Sequence, residues 1–134
     1  MQELKILIVE DEETGRLLLN TLLSPLGVCD EACNGREAIT LFEAALKAKR
    51  PYHLILLDIM MPELDGQRAL RAIREMERRE SVPAESQSRV LMVTALSEQH
   101  HILEAFMQGG ATGYLVKPIE KKRLYLELEK LGIH

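Results

Sequence analysis

Short apolar runs alternate with longer stretches of helical periodicity along the whole chain. Leu4 to Val9 is an apolar run that stops at Glu10-Asp11-Glu12-Glu13 and reads as a first strand. From Thr14 to Leu26, residues Leu18, Leu19, Leu22, Leu23 and Leu26 form one wide apolar helix face. The acidic residues before it favour the helix dipole. Pro25 makes its last turn irregular and Gly27 ends it. Val28 to Cys33 alternates weakly, as an edge strand does. Asn34-Gly35 signals a turn and a cap, after which Ala38, Leu41, Phe42, Ala45 and Leu46 recur at helical spacing. Lys47-Ala48-Lys49-Arg50-Pro51 closes that helix with positive charge and a proline.

Leu54 to Gly66 is the centre of the pattern. Four aliphatic residues run straight into Asp58, as in a buried parallel strand with a carboxylate at its C-terminal end. Pro62 and Gly66 then force a turn. Gln67 to about Glu80 is a helix with Ala69, Leu70, Ile73 and Met76 inward, and its end, Arg74 to Glu80, reads as a solvated mixed-charge segment. Ser81 to Ser88 reads as a polar loop and the first place to expect mobility. Val90 to Val93 is a fourth strand ending at Thr94. A helix follows from about Ser97 to Gln108 and stops at Gly109-Gly110. Tyr114 to Val116 is a fifth strand ending at Lys117-Pro118, and Leu124, Leu128 and Leu131 mark a last helix. Five strands alternating with five helices call for a doubly wound α/β fold, a parallel sheet with helices on both faces.

At 134 residues, the chain suits one domain with one core. Aromatics make up only 4% and Trp is missing, so that core must be aliphatic. The net charge of −4, with no long basic run, argues against direct binding of nucleic acid. No apolar run is long enough to span a membrane and no signal-peptide layout opens the chain, so a cytoplasmic protein is expected. Cys29 and Cys33 lack metal-site spacing. Four apart in a strand, they are expected as two reduced core residues facing one side.

Strand ends carry the candidate chemistry. In a parallel sheet all C-terminal ends lie along one edge, which is where ligands bind in open α/β sheets. Glu10 and Asp11, Asp58, Thr94 and Lys117 all fall there. If strands one and three are neighbours, roughly 4.8 Å apart, the three acids crowd and resist full ionisation without a cation. Oxygen ligands in a small cluster suit Mg²⁺. An open Mg²⁺ site invites a phosphoryl group, whose oxygens Lys117 and Thr94 would meet, with Asp58 as nucleophile.

Four segments carry a family resemblance: Ile8-Val9-Glu10-Asp11-Glu12, Leu57-Asp58-Ile59-Met60-Met61-Pro62 with Asp65-Gly66, Val93-Thr94-Ala95, and Gly113-Tyr114-Leu115-Val116-Lys117-Pro118. In order and at this spacing they resemble the receiver domain of two-component response regulators, from Ile6 to Leu131. The resemblance implies a flavodoxin-like (βα)5 sheet in the order 2-1-3-4-5 and a receiver domain over residues 1–134. It implies that Asp58 takes phosphate from a phosphohistidine on a sensor histidine kinase or histidine phosphotransfer protein. Glu10, Asp11, Asp58 and the Met60 backbone carbonyl would hold Mg²⁺, Asp11 more directly than Glu10. Thr94 and Lys117 would sense the phosphoryl group. Tyr114 would turn inward as a switch, altering a face of the fourth helix, fifth strand and fifth helix that meets a downstream protein or a second copy of the chain. Apolar Met60 and Leu96, at positions that influence acyl-phosphate hydrolysis, imply slow autodephosphorylation. Beyond these self-directed steps no enzymatic activity is expected.

Bland alternatives stand beside these readings. His100-His101 and Lys121-Lys122-Arg123 read as solvated, His53 as structural, and the methionines as gap-fillers. A phosphohydrolase of the haloacid-dehalogenase type would want an aspartate where Met60 stands, and a nucleotide-binding flavodoxin-like protein a glycine-rich loop after the first strand. A degenerate receiver that binds partners without phosphate is the remaining alternative. Either a stand-alone regulator or a receiver from a longer protein fits the sequence.

Overall fold

The computed structural model describes residues 3–59, 61, 65–95 and 110–133. Five strands, β1 (Leu4–Val9), β2 (Gly27–Ala32), β3 (Leu54–Asp58), β4 (Arg89–Thr94) and β5 (Gly113–Val116), form one sheet in the order β2-β1-β3-β4-β5. All pairings are parallel. The helices described are α1 (Glu13–Leu23), α2 (Gly35–Lys47), α3 (Gly66–Arg79) and, at the C-terminal end, α4 (Lys121–Lys130). This is the flavodoxin-like doubly wound fold. The helix expected over 97–108 lies outside the described residues.

Each central strand is apolar along its middle because both of its faces are covered. Leu7, Val9, Ile55, Leu57, Val90 and Met92 point to one face and pack with Phe42 of α2 and Leu70 and Ile73 of α3. The residues between them, Ile6, Ile8, Leu54, Leu56, Leu91 and Val93, point to the other face. There they meet Leu19 and Leu23 of α1 and Leu124 and Leu128 of α4. The two-residue period of a strand thus splits one run of sequence between two cores.

Helix starts are fixed by local chemistry. Asn34 caps α2 by accepting from the Glu37 backbone N–H at 2.9 Å, and Glu37 reaches back to the Cys33 N–H at 2.8 Å, a reciprocal capping arrangement. Asp65 caps α3 through the Arg68 N–H at 2.9 Å.

Several expectations need correction. Helix α1 stops at Leu23, before Pro25, and the chain turns through a Leu26 N–H to Leu23 carbonyl bond. Gly27 therefore opens β2 and does not end the helix. A Cβ there would lie 2.1 Å from the Leu4 carbonyl oxygen, so the neighbouring strand excludes a side chain. Strand β2 ends at Ala32, so Cys33 lies past it and the two cysteines share no strand face. Both thiols are free, as expected, and half-buried: Cys29 packs at the edge of the core, whereas Cys33 does not join it.

The charged end of α3 is also not all solvated. Glu77 is 1% exposed. Its carboxylate accepts from Arg74 Nη1 at 2.7 Å and from the Ser88 N–H at 2.8 Å. Arg74 also donates to the Ser88 and Gly110 carbonyls, and Ser88 Oγ donates to the Tyr52 carbonyl. The Ser81–Ser88 loop, which contains a 3₁₀ turn at Ala84–Ser86, is thus tied down at its end.

Candidate phosphoacceptor site

Parallel pairing brings the polar strand ends to one rim. Glu10 follows β1, its N–H bonded to the Ala32 carbonyl at 3.0 Å. Asp58 is the last residue of β3 and pairs with Val93 in register. Thr94 ends β4 opposite Val116, and the Lys117 N–H donates to the Thr94 carbonyl at 2.7 Å. Sheet order places β1 beside β3, as the crowding of acids required.

Lys117 draws the rim together. Its ammonium lies 3.1 Å from Asp58 Oδ2 and 3.4 Å from Glu10 Oε1. Glu10, Asp58 and Thr94 are all buried, whereas the Lys117 side chain is 34% exposed. Thr94 Oγ1 donates to the Ala95 carbonyl at 3.1 Å. The Lys117–Pro118 peptide is cis.

The electrostatics follow from two buried acids sharing one cation. Burial, then Asp58 close beside it with its negative charge, pushes the Glu10 carboxyl up to about 8, with Lys117 pulling the other way. Burial opposes the Lys117 ammonium, but the charges of Asp58 and then Glu10 outweigh it and hold its pKa above the usual lysine value.

The donor set fits a hard divalent cation. Glu10 Oε2 is buried and finds no hydrogen-bond partner among the described residues, a costly state for a carboxylate oxygen. One oxygen each from Glu10, Asp11 and Glu12 lie within 4.8 Å of one another. Oxygen-only donors beside an open rim suit Mg²⁺ that keeps some of its waters.

Glu12 is the member of this cluster that spacing alone does not single out, although its place in the acidic run is a signal. Met60 and Leu96 lie outside the described residues. Tyr114 sits in β5 opposite Met92 and is 39% exposed, facing outward and not into the core. His53 is structural, as expected: its Nδ1 accepts from the Lys5 N–H at 2.9 Å.

Two glycines shape the rim. A Cβ on Gly66 would lie 2.2 Å from the Asp58 carbonyl oxygen, and the Gly66 N–H closes the loop onto the Ile59 carbonyl at 2.9 Å. On Gly15, in the first turn of α1, a Cβ would lie 2.8 Å from Glu10 Oε1. Neither contact can be read from one-dimensional spacing.

A doubly wound parallel sheet in this strand order, with acids, a hydroxyl and an ammonium at its strand ends, is the layout of the receiver class of two-component signalling domains. Residues 6–129 match the response regulator receiver domain model, and the chain belongs to that family. The transcriptional regulatory protein ResD of Bacillus subtilis is 38% identical over 130 residues, which cover 96% of this chain and 48% of that protein. This chain spans about half the length of the curated relatives it matches. Among solved structures, the Vibrio cholerae chemotaxis protein CheY4 is 28% identical with a TM-score of 0.77, over 96% of this chain and 98% of that one. The receiver domain of the Saccharomyces cerevisiae response regulator Ssk1, solved with the histidine phosphotransfer signalling protein Ypd1, is 25% identical with a TM-score of 0.81. That match covers 97% of this chain and 89% of the other. No helix among the described residues is long and apolar enough to cross a membrane.

Proposed function

We propose that this receiver accepts a phosphoryl group on Asp58 from a partner's phosphohistidine and changes the face around Tyr114 in response. The observation that carries the reading is the shared ammonium: Lys117 touches both buried acids at a rim where one Glu10 oxygen is left without a partner among the described residues. Such a site is arranged to receive further positive charge and then a dianion.

Glu10 and Asp11, with Asp58, are the residues that would hold Mg²⁺. When bound, the ion would offset the negative charge of these carboxylates and of an incoming phosphoryl group. An oxygen of Asp58 attacks phosphorus in line. The P–N bond to the partner's imidazole breaks, and its electron pair stays on that nitrogen, which takes a proton. Lys117 exchanges its carboxylate partners for a phosphoryl oxygen, and Thr94 donates its hydroxyl to another. Tyr114, half-exposed on the neighbouring strand, follows Thr94 inward. Apolar residues at 60 and 96 present no group to orient an attacking water, so the acyl phosphate is long-lived. The chemistry is self-directed, with no diffusing substrate turned over.

The partner carrying the phosphohistidine is a histidine kinase or phosphotransfer protein, a class to which the Ypd1 solved with Ssk1 belongs. The test is intact mass after incubation with acetyl phosphate and Mg²⁺, for wild type and Asp58→Asn. A gain of ~80 Da, the mass of one added phosphate group, that needs Mg²⁺ and vanishes in the variant supports the proposal. Retention of the gain in Asp58→Asn places the acceptor elsewhere. No gain in folded wild type leaves a phosphate-independent binding module.

A further inference from the structure

We propose that Gly15 is a positioning residue for the Glu10 carboxylate. By presenting no side chain, the first turn of α1 leaves the space that this carboxylate fills, and so fixes the first acid against Lys117. The inference rests on the reading of Glu10 as a metal-holding acid.

An ideal Cβ at position 15 would stand 2.8 Å from Glu10 Oε1, 2.9 Å from its Cγ and 3.1 Å from its Cδ. These are the three nearest atoms it would meet, so the conflict is with one side chain. The Glu10 main chain cannot yield easily. Its N–H is bonded to the Ala32 carbonyl at 3.0 Å, and its carbonyl accepts from Arg16 Nη1 at 2.8 Å. Arg16 is in turn paired with Glu31 at 3.6 Å. With the backbone held on both sides, displacement falls on the carboxylate. A cleft of about 410 Å³, bordered by Glu10, Glu12, Gly15, Lys117 and Ile119, is there to receive it. A methyl at position 15 therefore costs the site its first acid's placement while leaving the fold standing, since alanine suits a helix better than glycine.

The chain length of the acid is part of the device. Shortening Glu10 to aspartate takes away the far end of the side chain, Oε1 and Cδ, that a Cβ at position 15 would press at 2.8 and 3.1 Å, and leaves only the Cγ contact at 2.9 Å, so it relieves the conflict in part. The two positions should consequently be coupled, and a double-mutant cycle measures that coupling.

The experiment titrates MgCl₂ into metal-free protein by calorimetry, with no phosphodonor present, for wild type, Gly15→Ala, Glu10→Asp and the double variant. Melts by circular dichroism accompany each. Gly15→Ala is expected to melt cooperatively and to weaken Mg²⁺ binding by about fivefold or more, with the loss shrinking to about twofold when Glu10→Asp is also present. No weakening, or equal weakening in both backgrounds, overturns the role of Gly15. Should Gly15→Ala alone fail to melt cooperatively, recovery of the melt in the double variant supports the inference and no recovery overturns it. A folded wild type that binds no Mg²⁺ removes the inference and the metal reading of Glu10 together, whereas a wild type that binds Mg²⁺ beside an indifferent Gly15→Ala removes the inference alone.

Discussion

Lys117 reaches across β4 to place its ammonium 3.1 Å from Asp58, joining the residue after β5 to the end of β3. Two strand spacings amount to roughly 9.6 Å, a gap that the lysine stem closes from one side and the Asp58 side chain from the other. The side chain is a third exposed, so it can change partners without dragging the sheet with it.

Removing that ammonium takes from buried Asp58 the cation beside it. Lys117→Ala is expected to lower the stability of the metal-free protein by about 1–3 kcal/mol, less than a fully buried pair because water reaches the lysine. Urea unfolding at neutral pH checks this, and Lys117→Arg should recover part of the loss. A variant as stable as wild type would show that the pair contributes nothing to the resting fold.

Glu10 makes the metal-free protein sensitive to pH in a defined direction. Its folded pKa is raised to about 8 from an ordinary 4.5. Between those values the folded state holds a proton that the unfolded state has lost, so stability declines as pH rises through that window. Below 4.5 both states are protonated and above about 8 both are ionised, so the slope vanishes at each end. Denaturant midpoints measured across the window from just above 4.5 to about 8 should fall in wild type and flatten in Glu10→Gln. A slope unchanged in Glu10→Gln would assign the titration to another group.

The five strands and the four helices among the described residues were legible because apolar runs and helical spacing alternate along the chain. Val9, Asp58, Thr94 and Val116 each end an apolar run, and parallel topology did the rest. What escaped was set by contacts between segments distant in sequence. Glu77 sits in a charged string, Arg74 to Glu80, that looks solvated, and only its apposition to Ser88 explains its burial. Gly27 looked like a helix stop, but its reason is the Leu4 carbonyl on the next strand. The place of Glu12 in the acidic cluster depends on how the chain turns after β1, which spacing alone does not give.

The Glu77 cluster yields its own expectation. Glu77→Ala strips the buried Ser88 N–H of its acceptor and takes from Arg74 its 2.7 Å partner. A cost of about 3 kcal/mol is expected, at the low end for breaking a buried pair because Arg74 keeps the Ser88 and Gly110 carbonyls. Glu77→Gln retains an acceptor for Ser88 and should cost less than half as much. Equal effects in urea unfolding would mean that the ion pair, and not the Ser88 bond, carries the stabilisation.

Gly66 should behave unlike Gly15, although both abut the site. The atoms that a Cβ on Gly66 would strike are backbone: the Asp58 carbonyl oxygen at 2.2 Å, its carbon at 2.9 Å and Ile59 Cα at 2.9 Å. Backbone in a buried central strand cannot swing aside as a carboxylate can. Either α3 is pushed off the sheet or the end of β3 moves, and the Gly66 N–H bond to the Ile59 carbonyl is lost with it. Gly66→Ala is thus expected to cost about 1–3 kcal/mol or more by overpacking. It should also slow phosphorylation by acetyl phosphate even where the protein remains folded, because Asp58 itself is displaced. Changing Glu10 to aspartate should give no relief here, in contrast to its effect on Gly15→Ala. Phosphorylation rates and urea midpoints for Gly66→Ala with and without Glu10→Asp decide the matter: relief by the shorter acid would mean that both glycines act through Glu10, and its lack would assign Gly66 to the placement of the Asp58 main chain.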